Sequence, residues 1–488
     1  MRISYITNAL GVILADIGIV TFVPVLVSLY YKEFNCSFSF LCAGVIALVL
    51  GFLLQRADHK IVETDTLNDI KRTEALVVSA FAWVMFGVIA AIPFIFNGFT
   101  FIDSLFEAVS GITTTGATIL TDFNIPKSLL FWRSFTQWLG GMGIIVLFVA
   151  ILPQFAVAGR QMFYAESPGP TEEKITPRIK NTATALWVVY ASLTFLCTIC
   201  LWGVGMPLFD SVCNAMSTLS AGGFSPHPES IGGYHSNAVI YIILVFMLIS
   251  GTSFVMQSKV LTKRDFRYIW KSEEFRFYLK MITCFSLVIA AFLFFEDNYS
   301  VGHSLTAAFY QVLSLSTTTG SSSENYHMWS IDPKLILFMA MFLSSCSGSA
   351  GGGIKMTRWI LVCKYIKNEL YKLLHPKAVL SVKIDNIVVA PEVLRQTIFF
   401  VICYFLIFGV TALLITLIEE NLVIGTTSAI ASLGDIGPAF GGVIGPFGNY
   451  STLKLSTKII FIINMLVGRL EIIPFLVLFQ KETWNIKK

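Results

Sequence analysis

Four short clusters of glycine and hydroxyl residues recur along the chain. They are Thr113-Thr114-Thr115-Gly116-Ala117, Leu219-Ser220-Ala221-Gly222-Gly223, Thr317-Thr318-Thr319-Gly320-Ser321 and Gly434-Asp435-Ile436-Gly437-Pro438. Aligned on Gly116, Gly222, Gly320 and Gly437, they repeat about every 100 residues, which is a fold-level signal. What such residues offer is backbone. Glycine reaches positive φ at no steric cost, so the chain can turn its carbonyls in one direction. Four such strands around an axis would form rings of oxygens that replace a cation's hydration shell. The expected ring-formers are Thr114, Thr115, Gly116, Ser220, Ala221, Gly222, Thr318, Thr319, Gly320, Asp435, Ile436 and Gly437.

A second constellation is Ser344-Ser345-Cys346-Ser347-Gly348-Ser349-Ala350-Gly351-Gly352-Gly353-Ile354-Lys355. It comes close to a phosphate-binding loop, but Ile354 intervenes before Lys355 and no strand precedes it. Each Gly lowers helix propensity by ~1 kcal/mol relative to Ala, so this stretch should unwind. A packing face needs only two small residues per contact. Here nine of the ten residues from Ser344 to Gly353 are Ser, Gly or Ala, which favours a loop. Lying below the third cluster, the loop would block the path as a gate, with Gly348, Gly351, Gly352 and Gly353 at its centre. Lys355 is expected to mark its inner end, with snorkelling to the surface as the alternative.

Arg469 stands about midway through an apolar run. A charge at the bilayer centre costs at least ~2.5–3.5 kcal/mol, so it should face a cavity or a partner. Beneath a cation path it would repel ions and hold the carbonyls of the 344–353 loop. The alternative is an ion pair, although Glu471 is two positions on and does not share its helix face. Asp16 is expected to make a packing contact away from the path.

These residues must be positioned by membrane helices. The 488 residues are 55% hydrophobic and 13% charged, with 42 Phe and a mean hydropathy of +0.74. An ordinary soluble chain carries about 25% charged residues, so the bilayer is the expected solvent. A net charge of +4 is too small to argue for nucleic acid. Ten stretches suit the ~20 residues that a spanning helix needs: 3–30, 36–55, 76–98, 130–154, 183–204, 237–257, 280–296, 335–363, 396–418 and 456–480. The first has no cleavage site and reads as a retained helix.

The connections alternate in charge. Segments 56–72, 160–180, 259–280 and 355–395, with the two termini, hold 27 of the 34 Lys and Arg. Segments 205–237, 297–333 and 419–453 hold none. The positive-inside rule therefore puts both termini in the cytoplasm, and a mouth free of Lys and Arg would concentrate cations. Each cluster lies between two spans, after a segment too short to cross. The organisation is an all-α membrane protein of four span–re-entrant–span repeats around a pseudo-fourfold pore. The divisions are an N-terminal hairpin (1–72) and repeats at 73–180, 181–278, 279–392 and 393–488.

Nine cysteines lie mostly in apolar runs without metal spacing and read as free thiols. Trp132, Trp138, Trp187, Trp202 and Trp270 suit an interfacial belt. His227, His235, His303 and His327 read as surface residues of the outer side. No His falls inside a span and no HExxH or GxSxG placement fits, so a membrane enzyme is a poor reading.

With these motifs in place, the chain resembles the Trk/Ktr/HKT superfamily of potassium-uptake membrane subunits, and most closely its TrkH-like members. The four clusters, the 344–355 run and Met465-Leu466-Val467-Gly468-Arg469-Leu470-Glu471 carry the resemblance, which covers essentially the whole chain. The N-terminal hairpin is similar to TrkH rather than to the shorter KtrB-type subunits. The resemblance implies K+ as the transported ion, no bound cofactor, a bacterial inner membrane, a homodimer and a TrkA-like nucleotide-binding regulatory ring in the cytoplasm. Asp435 departs from the Asn more usual there, and Ala117, Gly223, Ser321 and Pro438 follow the aligned glycines irregularly. Both point to looser selectivity and keep a sodium-permeating or cation-symporting relative as the alternative. Gly116 stands where sodium-transporting HKT relatives carry Ser, which favours potassium.

Overall fold

The computed structural model describes residues 3–56, 72–143, 179–265 and 267–484. An N-terminal hairpin comes first: Ile3–Val20 runs into Val23–Tyr30, and Phe34–Arg56 returns along them. Pro24 in the first turn of the second segment accounts for the break after Val20. The hairpin closes on glycine. A Cβ on Gly11 would stand 2.7 Å from the Gly51 carbonyl oxygen, and one on Gly51 would stand 2.7 Å from that of Gly11. Gly18 and Gly44 repeat the arrangement two turns on, so small residues let the two backbones touch.

Each repeat then opens with a long helix: Arg72–Phe96, Ile179–Gly203, Glu273–Phe295 and Pro391–Glu419. A short helix follows: Phe101–Ile112, Leu208–Leu219, Val301–Ser316 and Leu422–Leu433. At 1.5 Å per residue, 12 to 16 residues cannot span the ~30 Å hydrocarbon core. Side chains start three of them: Thr100 accepts from Asp103 N, Ser300 from His303 N, and Asn421 from Val423 N and Ile424 N. Each short helix ends in one of the four clusters, and the chain then turns back into a second helix.

Among the described residues, the second helices of repeats two, three and four are interrupted, and that of repeat one is described only as far as Gly143. The first, Lys127–Met142, ends at Gly143 with φ +71°. The third breaks into Ile331–Ala340 and Met356–Leu374, and the stretch 341–355 between them contains the expected loop at 344–353. Two runs read as continuous are broken as well. The 237–257 stretch is Asn237–Ser250 and Phe254–Lys263, bent by 97°. The 456–480 stretch is Leu455–Arg469 and Ile473–Leu478, with Glu471 and Ile472 at positive φ between them. For the break at Gly251 the physical reason is long-range: the Gly251 carbonyl accepts from Cys346 N at 2.9 Å, and Phe254 N donates to the Gly348 carbonyl at 3.0 Å. Partners in another repeat satisfy the backbone groups that the break releases.

Among the described residues, six helices are long and apolar enough to cross a membrane, and the bent pair makes a seventh. The rest of the 130–154 run, and most of the basic segments 56–72 and 160–180, lie outside the described residues. The tryptophan belt needs correcting. Trp202 and Trp270 are exposed, but Trp132 is fully buried and donates to the Ala90 carbonyl at 3.0 Å. Trp138 stacks on Tyr190 and meets Trp187 edge-on, so these rings pack between helices. All nine cysteines are free, with Cys284 and Cys363 exposed.

Candidate functional site

The four clusters share one backbone conformation. Positive φ falls at Thr114 and Gly116, at Ala221 and Gly223, at Thr318 and Gly320, and at Asp435 and Gly437. The hydrogen bonds keep the same register. Thr115 N and Gly116 N return to the Ser110 carbonyl, Gly222 N and Gly223 N to Ser217, and Thr319 N and Gly320 N to Ser314. Ile436 N returns to Ala431. The matching segments are therefore 113–116, 220–223, 317–320 and 434–437. In the second, the glycine equivalent to Gly116 is Gly223 rather than Gly222. Two consecutive glycines make both registers sterically possible, and only the φ pattern separates them.

The segments close into a ring. A Cβ on Gly116 would overlap the Gly222 carbonyl oxygen, and one on Gly223 that of Thr319. One on Gly320 would overlap that of Ile436, and one on Gly437 that of Thr115. Each repeat thus abuts the next and the fourth returns to the first. These four positions require glycine twice over, for positive φ and for the carbonyl alongside.

Because the strand N–H groups turn back to the short helices, they point away from the ring. Among the described residues, the carbonyls of Thr114, Thr115, Thr318, Thr319, Asp435 and Ile436 accept no hydrogen bond, whereas the Gly222 carbonyl accepts from Gln137 Nε2 at 2.6 Å. Six buried carbonyls without partners form a set able to hold a cation, since a buried acceptor is otherwise costly. Threonine hydroxyls tie the strands: Thr113 to Thr115 at 2.7 Å, Thr317 to Thr319 at 2.8 Å, and Thr115 to Asp435 Oδ1 at 3.1 Å.

One end of the ring opens into a cavity of ≈ 110 Å³ whose lining includes Gly116, Gly223, Gly320 and Pro438. Arg133 also lines it, which corrects the expectation of a mouth without Lys or Arg. That charge is matched: Arg133 Nε lies 2.6 Å from Glu107 Oε1, and both side chains are buried.

The 341–355 loop covers the opposite end. Gly352 N donates to Thr318 Oγ1 at 2.9 Å. A Cβ on Gly351 would stand 2.7 Å from the Thr317 carbonyl oxygen, and one on Gly352 2.7 Å from that of Gly434. Gly348 and Gly353 are different, because they adopt φ +75° and +66°. Lys355 does not snorkel. It is buried, donates to the Gly351 carbonyl and lies 3.3–3.4 Å from the Ser349 and Ser345 hydroxyls, folding the loop on itself.

Arg469 sits where three repeats meet. Its guanidinium donates to Ala350 O at 2.9 Å in the loop, to Gly141 O at 3.3 Å and to Gly140 O, and lies 5.6 Å from the Trp83 ring. Glu471 pairs with Arg358 instead. Asp435 is fully buried at the foot of the fourth strand, with Oδ2 lacking a hydrogen-bond partner among the described residues. Sequence reasoning missed Gly223, Gln137, Glu107, Arg133 and Glu274. Glu274 accepts from Ser347 N at 2.7 Å and Thr357 N at 3.1 Å, fixing both sides of the loop. Its only signal was an acid ahead of an apolar run, which any helix start could carry.

The whole chain has counterparts among known proteins. The TrkH family model, described as cation transport protein, matches residues 37–486. The chain belongs to the TrkH family. The Trk system potassium uptake protein TrkH of Salmonella typhimurium is 35% identical over 491 residues, covering 99% of this chain and all of that protein. The Trk system potassium uptake protein TrkG of Escherichia coli K12 is 32% identical, covering 95% of this chain and 94% of that one. The crystal structure of the potassium transporter TrkH from Vibrio parahaemolyticus superimposes with a TM-score of 0.86 at 31% identity, over 99% of this chain and all of that one. This TrkH-family chain is therefore a multi-pass membrane transporter with four pore repeats and an N-terminal helix hairpin.

Proposed function

We propose that this protein takes up potassium across the bacterial inner membrane, along the axis of the four-strand ring. The observation that carries the reading is the closed cycle of glycines, each lying against the next strand's carbonyl. Around one axis those carbonyls replace the water that a monovalent cation sheds. The filter is the backbone of 114–116, 221–223, 318–320 and 435–437. The mouth cavity faces outward and both termini face the cytoplasm, by the charge asymmetry of the loops. The 341–355 loop is the gate, a reading supported by its contacts with the strands. Gly351 and Gly352 seat it against the strands, and Lys355 holds its fold. Arg469 fastens it and places a positive charge on the ion path.

The named relatives support potassium over other ions, and a Trk system implies further components. A homodimer served by a TrkA-like cytoplasmic nucleotide-binding ring is the arrangement we infer, with the ring releasing the loop. A second reading, sodium permeation or cation symport, is favoured by one feature, the buried Asp435 carboxyl at the foot of strand four, whose Oδ2 has no hydrogen-bond partner among the described residues. Uptake of rubidium and sodium into proteoliposomes of the purified protein separates the two. Rubidium entry blocked by potassium and not by sodium is the expected result; equal entry of both overturns it in favour of the second reading.

A further inference from the structure

Three residues ahead of each helix carbonyl that receives the strand N–H groups lies a buried polar side chain. These are Glu107, Asn214, Gln311 and Ser428. The four occupy equivalent places behind the four strands but are held differently. Among the described residues, Asn214 Oδ1, Gln311 Oε1 and Ser428 Oγ have no hydrogen-bond partner. Glu107 is saturated. Its carboxylate accepts from Arg133 Nε at 2.6 Å, from Ile119 N at 2.9 Å and from Thr118 Oγ1 at 3.0 Å.

Arg133 carries the connection onward. Its Nη2 donates to Thr118 Oγ1 at 3.1 Å and its Nη1 to the Ser225 carbonyl at 3.4 Å, and its guanidinium lies 4.1 Å from the Phe224 ring centroid. Thr118 is two residues past Gly116, and Ser225 is two residues past Gly223. One planar, five-donor group therefore grips the outgoing limbs of strands one and two at the same offset. A lysine ammonium could not span that set. Both side chains are buried, so removing one partner would leave the other an uncompensated charge.

We propose that the Glu107–Arg133 pair is the positioning element that fixes the separation of the first two strands at the mouth, and through it the preference for the larger alkali cation. The inference rests on the ring being a cation filter. If the two limbs close up, the oxygens fit a smaller ion better. The pair touches no ion, so its effect passes entirely through the strand backbone.

The test uses two full-length variants, Arg133→Lys and the double Glu107→Gln/Arg133→Gln, with wild type alongside in proteoliposomes. The double variant leaves no unpaired buried charge, so it decides the matter where the single variant does not fold. The readouts are the rubidium-to-sodium uptake ratio and KM against maximal rate for rubidium. The expected result is a fall of roughly tenfold in the ratio, the order of one charged hydrogen bond, with a raised rubidium KM. A merely structural role would lower the folded yield and the maximal rate and leave the ratio alone. A wild-type ratio in the folded double variant overturns the inference, while a wild type without rubidium preference overturns the filter reading beneath it.

Discussion

Gly352 offers the cleanest perturbation of the gate. Its backbone is outside the left-handed region, so alanine meets no conformational penalty there and the effect is purely steric. The added Cβ would stand 2.7 Å from the Gly434 carbonyl oxygen, 2.8 Å from Asp435 Oδ2 and 2.9 Å from Asp435 Cβ. The strand cannot yield easily, because Gly434 N is bonded to Ile430 O at 2.8 Å and Ile436 N to Ala431 O at 2.9 Å. The loop must retreat, giving up the bond from Gly352 N to Thr318 Oγ1. Overpacking of this kind costs about 1–3 kcal/mol. Borne by the closed state alone, that shifts the closed-to-open ratio by roughly 5- to 150-fold.

The assay is rubidium uptake into proteoliposomes of the purified Gly352→Ala protein without partners. Uptake should rise by one to two decades, of the order of the shift in that ratio, and potassium should still compete better than sodium because no filter carbonyl has changed. Gly409→Ala is the control, since an added Cβ there meets nothing within 4 Å and Gly409 is exposed. Uptake no greater than wild type, from a variant of unchanged melting temperature, would refute the reasoning that the loop blocks the ring by contact.

Arg469→Ala removes the carbonyl bonds to Ala350, Gly140 and Gly141, each charged bond being worth about 1.5–3 kcal/mol, so basal rubidium uptake should rise. Unchanged uptake in a folded protein would remove its role as fastener. Gly223→Ala should abolish selective uptake, whereas Gly222→Ala should be milder, because its Cβ would press only on the Gln137 side chain, which can move. Equal damage from the two would show that the second strand's register is wrong. Gly116→Ser should weaken the preference for potassium over sodium in competition uptake; an intact preference would exclude Gly116 from the filter. Gly51→Val pushes a side chain into the Gly11 backbone and should lower the melting temperature, by about 1–3 kcal/mol of stability, without changing the rubidium-to-sodium ratio.

Much of the architecture follows from the sequence alone. Apolar runs of spanning length, the asymmetry of Lys and Arg, and four glycine clusters at a regular period require repeated membrane hairpins with backbone exposed between them. No other use of ten apolar stretches satisfies the backbone in lipid. The loop at 344–353 was legible for the same local reason, since a helix cannot tolerate that density of Gly and Ser. Arg469 stood out because an isolated charge at membrane depth demands a partner.

What the sequence could not decide depends on contacts between residues 26 to 96 positions apart. The register of the second strand is one case: Gly222 and Gly223 are equivalent until Thr319 O lies against one of them. The break at Gly251 is another, since nothing in Asn237–Lys263 forbids a straight helix. It bends because Cys346 and Gly348 supply its missing hydrogen bonds. Glu107, Arg133 and Glu274 are ordinary charges in the chain, and only burial beside one another or beside a freed N–H makes them struts. Local propensity and the bilayer set the elements, whereas the meeting of carbonyls, hydrogen-bond donors and charges at the centre, which makes them a site, is fixed by four repeats closing on a common axis.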